Sequence, residues 1–270
     1  MSFYTSLNGM KNAQTDLGVI AHNIANVDTN GFKKSRTDFA DIVVGSAQVN
    51  PRMVQGIGAR VEAITQNFAL GPIEQTGSSL DMALTGDGFF TTRSVESGRT
   101  LYTRNGAFNI DDTGFVQDGS NNRLQVFPTD ASGAITSTTP VDAQVAVTNA
   151  AGAEFSGVTV KSDGRVTASY ADGTFLEVGT VALASFFSPT GLKQVGSSNW
   201  ESTGVSGVAT YGRAGQGQYG QVLSGALERS NVDIAEELVG LITAQRSFQA
   251  NAKAIDTATQ ISQTVINMRT

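Results

Sequence analysis

Residues 3–24 read FYTSLNGMKNAQTDLGVIAHNI and residues 234–255 read IAEELVGLITAQRSFQANAKAI, and these two stretches decide the fold. In the first, Phe3, Leu7, Met10, Gln14, Leu17, Ala21 and Ile24 fall at alternating spacings of four and three, with Gln14 the polar exception. That is the narrow a/d stripe of a coiled-coil seam, sustained for about three heptads. In the second, Ile234, Leu238, Leu241, Gln245, Phe248, Ala252 and Ile255 repeat the register, and the stripe then drifts through Ile261, Val265 and Met268. Ser230 and Asp233 are spaced as a capping box, with Glu236 and Glu237 adding negative charge to the first turn, so the spacing predicts a helix from about Asn231 to 268. Neither helix can bury such a stripe alone. Two ordinary core helices of one globular domain is the competing reading; narrow seams on either side of a long β-like interior favour helices paired with each other and then with neighbouring copies.

Working outward, Asn26 to Gly31 form a turn cluster that ends the first helix, which is expected to span 1–27. Asp41 to Gly56 shows no sustained period, carries Pro51 and reads as an extended connector. Strands are then expected at Arg60–Thr65, Leu80–Leu84 and Ala107–Ile110, with Asn105-Gly106 as a hairpin signal and turns at Asp112–Gly114 and Asp118-Gly119. From Pro128 to Pro140 the composition shifts to Thr, Ser, Ala and Gly, the mark of an exposed loop or boundary. A second β region follows, with strands at Val158–Val160, Arg165–Tyr170 and Thr180–Ala184 separated by Asp163-Gly164 and Asp172-Gly173. Ser188 to Gly220 is rich in Gly and Ser and holds the only Trp, Trp200. The fold class is therefore α+β: paired N- and C-terminal coiled-coil helices plus discontinuous, mainly-β domains. The expected division is a helical inner domain of 1–30 with 228–270, a β-rich middle domain of 31–128 with 199–227, and a small β outer domain of 129–198. Asp41–Gly58 and Ser202–Gly220 are candidate hinges.

Composition narrows the function. With 18 basic against 24 acidic side chains and a net charge of −6, no basic stripe is available for nucleic acid. There is no Cys, so disulfides and thiolate metal sites are excluded. No integral membrane segment is expected, and the N-terminal stretch is periodic rather than built like a cleavable secretory signal.

Nothing in the sequence assembles catalytic chemistry, and the chain is not expected to be an enzyme. His22 is the only histidine and lies beside the first seam, which removes multi-histidine metal sites and the usual triads. Asn109, Asp111, Thr113 and Gly114 open like a calcium loop, but Ser120 stands where a bidentate Glu is needed, so a turn is the better reading. Gly86, Asp87 and Gly88 lack the lysine and spacing of a phosphate loop. Asp111 and Asp112 are adjacent and would point to opposite faces of a strand. No catalytic, cofactor-binding or metal-binding residue is assigned.

The stretch NIANVDTNGFKK, Asn23 to Lys34, resembles the signature of the flagellar axial proteins, the rod and hook subunits, with Asn23, Ala25, Asn26, Thr29, Gly31 and Phe32 at the motif positions. GPIEQTGSSLDMALTGDGFF (71–90), YTRNGAFNIDDTGFVQ (102–117) and SGALERSNVDIAEELVGLITAQRSFQANAKAI (224–255) are similar to further blocks of that family. MSFYTSLNGM at the start, ITQNFALG (64–71) and SNVD (230–233) look hook-like, although 129–198 leaves room for only a small outer domain. The resemblance implies a structural subunit of the flagellar hook, a flexible tubular joint that passes torque from rod to filament and encloses the export channel. A distal rod subunit, a rigid drive shaft, is the alternative.

The implied partners are other copies of the chain in a helical homopolymer, the distal rod subunit, the hook–filament junction protein, the hook cap during assembly and the flagellar export apparatus. The implied location is the basal body and hook outside the cell, reached unfolded and without a cleavable signal. The residues expected at subunit interfaces are Leu7, Met10, Leu17, Ile24, Ile234, Leu238, Leu241, Phe248 and Ile255.

Overall fold

The computed structural model describes residues 2–43, 56–130 and 133–268. It falls into two compact units: residues 1–27, 34–67 and 232–270 form one, and residues 28–33 and 68–231 form the other.

The first unit is helical, with a hairpin attached. Helix α1 spans Ser2–Ala25 and helix α2 spans Ile234–Asn267. Asp233 is itself the N-cap of α2: its Oδ1 accepts the N–H of Ala235 at 2.8 Å and of Glu236 at 3.2 Å, so the helix starts three residues later than the Ser230/Asp233 spacing suggests. The two helices run antiparallel. Asn251 lies over Gly9, Ile20 against Gly240, and Asn23 bonds Glu237, so each step along α1 is matched by an equal step back along α2. The helices approach closely at Gly9, where a Cβ would come within 2.6 Å of the Asn251 amide oxygen and the Asn251 side chain would have to shift.

Strands β1 (Ser35–Val43) and β2 (Gly56–Gln66) pair antiparallel in this same unit, although the sequence alone placed residues 31–67 in the middle domain. The expected connector at Asp41–Gly56 is therefore strand at both of its margins, and residues 44–55 lie outside the described residues. The hairpin is hard to read from sequence because SRTDFADIV carries polar side chains on both faces. It is fastened to α1 by hydrogen bonds from Asn12 Nδ2 to Ala59 O and from Asn23 Nδ2 to Ser35 O, both 2.8 Å.

The second unit is antiparallel β throughout its sheets. Its strands are β3 (Ile73–Gln75), β4 (Met82–Leu84), β5 (Phe89–Ser94), β6 (Thr100–Thr103), β7 (Phe108–Ile110), β8 (Val116–Asp118), β9 (Asn122–Phe127) and β10 (Val141–Asp142). They continue with β11 (Phe155–Val160), β12 (Arg165–Tyr170), β13 (Phe175–Val181), β14 (Leu183–Ser185), β15 (Lys193–Gly196) and β16 (Asn199–Glu201). The last three are β17 (Thr210–Gly212), β18 (Val222–Ser224) and β19 (Ala226–Glu228).

The main sheet runs β11-β12-β13-β9-β5-β6-β16-β15, while β18 pairs with β4 and β19 with β3. Strand β13 joins β9 through Thr180–Phe127 and Val181–Val126. One apolar core consequently runs from Met82, Phe90 and Leu124 to Val158, Val166 and Val181. A second cluster gathers aromatic rings: Trp200 lies 5.8 Å from Phe89, and Tyr102 4.7 Å from Phe186, all edge-on.

Asp163-Gly164 and Asp172-Gly173 turn the hairpins β11–β12 and β12–β13 as expected. Asn105-Gly106 does not make a hairpin, because β6 pairs with β5 and β16 while β7 pairs with β8. It is a corner instead. The Gly106 carbonyl accepts the Met82 N–H, and a Cβ on Gly106 would sit 1.6 Å from the Met82 oxygen, so only glycine lets the two backbones close. Ser202–Gly220, a candidate hinge from its composition, is stitched down. Thr203 Oγ1 donates to Gly191 O, buried Ser206 Oγ donates to Thr203 O, and β17 pairs with β14.

Candidate subunit interface

The faces that α1 and α2 bury are small and partly polar. The buried described residues of α1 are Ala13, Val19, Ile20 and Asn23, and those of α2 are Glu237 and Ala244. None of them belongs to the apolar stripes read from the sequence. Leu7, Met10, Leu17 and Ile24 on α1 are half-buried, as are Leu241, Phe248 and Ile255 on α2. Ile234 and Leu238 remain 48% and 47% exposed, and next to them Val239 and Ile242 are exposed as well. Beyond Ala258 every described residue of α2 is exposed, Ile261 and Val265 included. The unit thus carries a long run of apolar side chains that its own fold leaves partly in water.

Within the first unit, Asn23 ties three elements together. Its Oδ1 accepts the Ser35 N–H at 2.9 Å, and its Nδ2 donates to Ser35 O at 2.8 Å and Glu237 Oε2 at 3.1 Å. A buried amide with all these partners fixes the end of α1 against both the hairpin and α2. Ala25 is the exposed last residue of α1, and Asn26 Nδ2 donates to the His22 carbonyl at 2.8 Å, closing the helix. Lys34 and Glu236 form an ion pair at 2.8 Å on the surface.

In the second unit, Thr29 accepts the Phe32 N–H in a turn, and Phe32 is buried. Gly31 has φ of +67°, and a Cβ there would lie 2.4 Å from the Asn105 nitrogen, so this motif position demands glycine for two separate reasons.

Three charged residues that the sequence analysis did not single out meet at the motif, Lys33 from within the quoted stretch and Arg104 and Glu228 from outside it. Lys33, Arg104 and Glu228 are all buried. Lys33 Nζ donates to Glu228 Oε1 and, at 2.7 Å, to Ala69 O; Arg104 Nη1 reaches Glu228 Oε2 at 3.3 Å. Glu228 also accepts the Gly71 N–H on Oε1 at 2.9 Å, while its carbonyl accepts the Gly31 N–H at 2.8 Å. Burial pushes both cations below their ordinary pKa, and the Glu228 carboxylate pulls the other way. The available signal was a lysine directly after a buried Gly-Phe, but its acid stands 195 positions away and no local spacing points to it.

The residues weighed for other chemistry take structural roles. Asp111 Oδ1 accepts the N–H of Thr113 at 2.9 Å and of Phe115 at 2.8 Å in the β7–β8 turn. Desolvation raises its pKa, but these bonds outweigh it and hold the carboxyl below the usual range. His22 is exposed near the end of α1. Among the described residues no group of three or more His, Cys, Asp or Glu is placed to hold a metal ion, and no helix is long and apolar enough to cross a membrane.

Comparison with known proteins agrees with this geometry. Residues 3–33 match a family model described as flagella basal body rod protein, residues 83–168 the flagellar hook protein FlgE/F/G D1 domain, and residues 223–268 the flagellar basal body rod FlgEFG protein C-terminal model. The flagellar basal-body rod protein FlgG of Bacillus subtilis is 36% identical over 280 residues, covering 99% of this chain and 98% of the relative. The FlgG of Agrobacterium fabrum is 33% identical, with 95% of each chain covered. The flagellar hook protein FlgE of Escherichia coli is 28% identical over 411 residues, covering 100% of both. With the helical ends, the motif and the β unit all matched at this level, the chain belongs to the family of flagellar rod and hook axial proteins.

Proposed function

We propose that the chain is a structural subunit of the flagellar hook, polymerising with copies of itself into a flexible tube that passes torque from rod to filament and encloses the export channel. The observation that carries this reading is the half-covered apolar stripe on α1 and α2. Leu7, Met10, Leu17 and Ile24, with Ile234, Leu238, Leu241, Phe248 and Ile255, would be covered by the same stripes of neighbouring copies, forming the coiled-coil inner wall. Residues 129–198 would then face outward. Neighbours in the assembly are the distal rod subunit, the hook–filament junction protein and the hook cap, with delivery by the flagellar export apparatus. No catalysis is part of this role.

A specific observation favours a second reading as a distal rod subunit. The alignment with the Bacillus subtilis FlgG runs over 280 residues at 36% identity, whereas that with the Escherichia coli FlgE must stretch over 411 at 28%. The hook-like stretches 1–10 and 64–71 weigh on the other side.

An epitope inserted at the exposed Asp172-Gly173 turn and located with gold-labelled antibody on isolated basal bodies separates the two. Label along the curved segment outside the cell supports the hook. Label on the straight shaft supports the rod, and an unlabelled structure overturns both.

A further inference from the structure

The chain enters and leaves the second unit along residues 28–33, 68–71 and 228–231, and all three segments are tied to one side chain. Glu228 holds Lys33 and Arg104 through its carboxylate, Gly71 through the same group, and Gly31 through its carbonyl. Lys33 and Asn231 both donate to Ala69 O, which closes the ring of contacts. No other acid is hydrogen-bonded to either cation among the described residues, and the Arg104 Nε is buried with no partner at all. Asp87 acts on Arg104 only through its longer-range charge.

We propose that Lys33, Arg104 and Glu228 form a closing latch that keeps the second unit open until residues 226–231 have arrived. The physical reason is charge balance. Before Glu228 is in place, closing the unit would bury two cations, Lys33 and Arg104, near each other with no carboxylate between them. A chain lacking only its last segments has nearly all of the apolar core residues, from Met82 to Val222, and would otherwise be free to collapse around them.

Because chains are made N-terminal end first, Lys33 and Arg104 appear early and their counter-charge appears late. The separations of 195 and 124 positions are what turn an ion cluster into a timing device. Strand β19, which carries Glu228 and pairs with β3, therefore has to dock before the unit can close. This inference does not depend on whether the assembly is hook or rod.

The test is refolding of the full-length chain, followed by pulsed hydrogen exchange at the amides of Ala143 and Ala182, which bond Leu124 and Gln125 in the core, and by the fluorescence of buried Trp200. In the unaltered chain, core protection and protection of the Gly71 amide should appear in one kinetic phase. Glu228→Gln should slow core protection by at least about tenfold, or abolish it. The variant Lys33→Met, Arg104→Met, Glu228→Gln removes the charges together and should regain core protection at close to the original rate. Core protection in Glu228→Gln at the original rate would overturn the latch. So would a triple variant as slow as the single one, since that would make the effect one of shape rather than charge.

Discussion

The β unit and the helical unit solve the problem of apolar side chains in opposite ways. In the β unit Trp200, Phe90, Leu124 and Leu183 are 0% exposed, and the strands that carry them are covered by one another. In the helical unit the 34-residue α2 buries only Glu237 and Ala244 among its described residues, while its leucines and isoleucines stay half in water. At roughly 25 cal/mol per Å² of apolar surface, that exposure withholds a substantial share of the stabilisation the same residues could give. One unit is finished by its own sequence. The other leaves its apolar stripes half-covered, and under the proposed assembly its stability would depend on neighbouring copies.

The largest expected effect is in the sealed unit. Gly106→Val drives side-chain atoms into the Met82 carbonyl and should lower the stability of that unit by about 3 kcal/mol or more, read as an earlier urea transition of Trp200 fluorescence. Next in size, Leu241→Asp or Leu17→Asp should stop polymerisation altogether while leaving the Trp200 transition within about 0.5 kcal/mol of the parent. Normal filaments from either variant would erase the contrast between the units.

A smaller but still clear effect is expected in the free chain itself. Its far-ultraviolet helical signal should be weaker than that of the assembled form, since isolated helices without their partner surface are marginal; equal signals would mean that the helical unit is complete after all. Asp233→Ala removes the α2 cap and should cost about 1 kcal/mol, confined to faster exchange of the Ala235 and Glu236 amides. Smallest of all, Phe187→Ser should change stability by no more than about 0.5 kcal/mol, because Phe187 is 99% exposed and belongs to neither core.

The two helices were legible because their period of 3.5 runs for three heptads with few interruptions, and the Asp-Gly turns were legible because their chemistry is local. Strand β2 was legible in part, as Arg60–Thr65, but its partner β1 was not, since SRTDFADIV alternates in burial more than in polarity. Asn105-Gly106 shows the limit of a local signal: the dipeptide suits a tight hairpin, but here the glycine answers to Met82, more than twenty residues away in sequence. The apolar stripes were visible, yet the face that α1 turns to α2 was not. That face includes Gly9 against Asn251, Ile20 against Gly240 and Asn23 on Glu237, which do not follow the apolar stripe read from the sequence. Lys33 and Arg104 gave no hint of burial, because a lone cation reads as surface until its acid is found.

The single antiparallel register of α1 and α2 makes the pair an inextensible bar. Asn251 over Gly9 and Asn23 on Glu237 pin it near both ends, so one helix cannot creep along the other by a fraction of a residue. Sliding would have to proceed in whole helical turns of about 5.4 Å, each of which breaks every pin at once. If copies assemble into a tube as proposed, bending by movement of one copy past the next would leave this register intact.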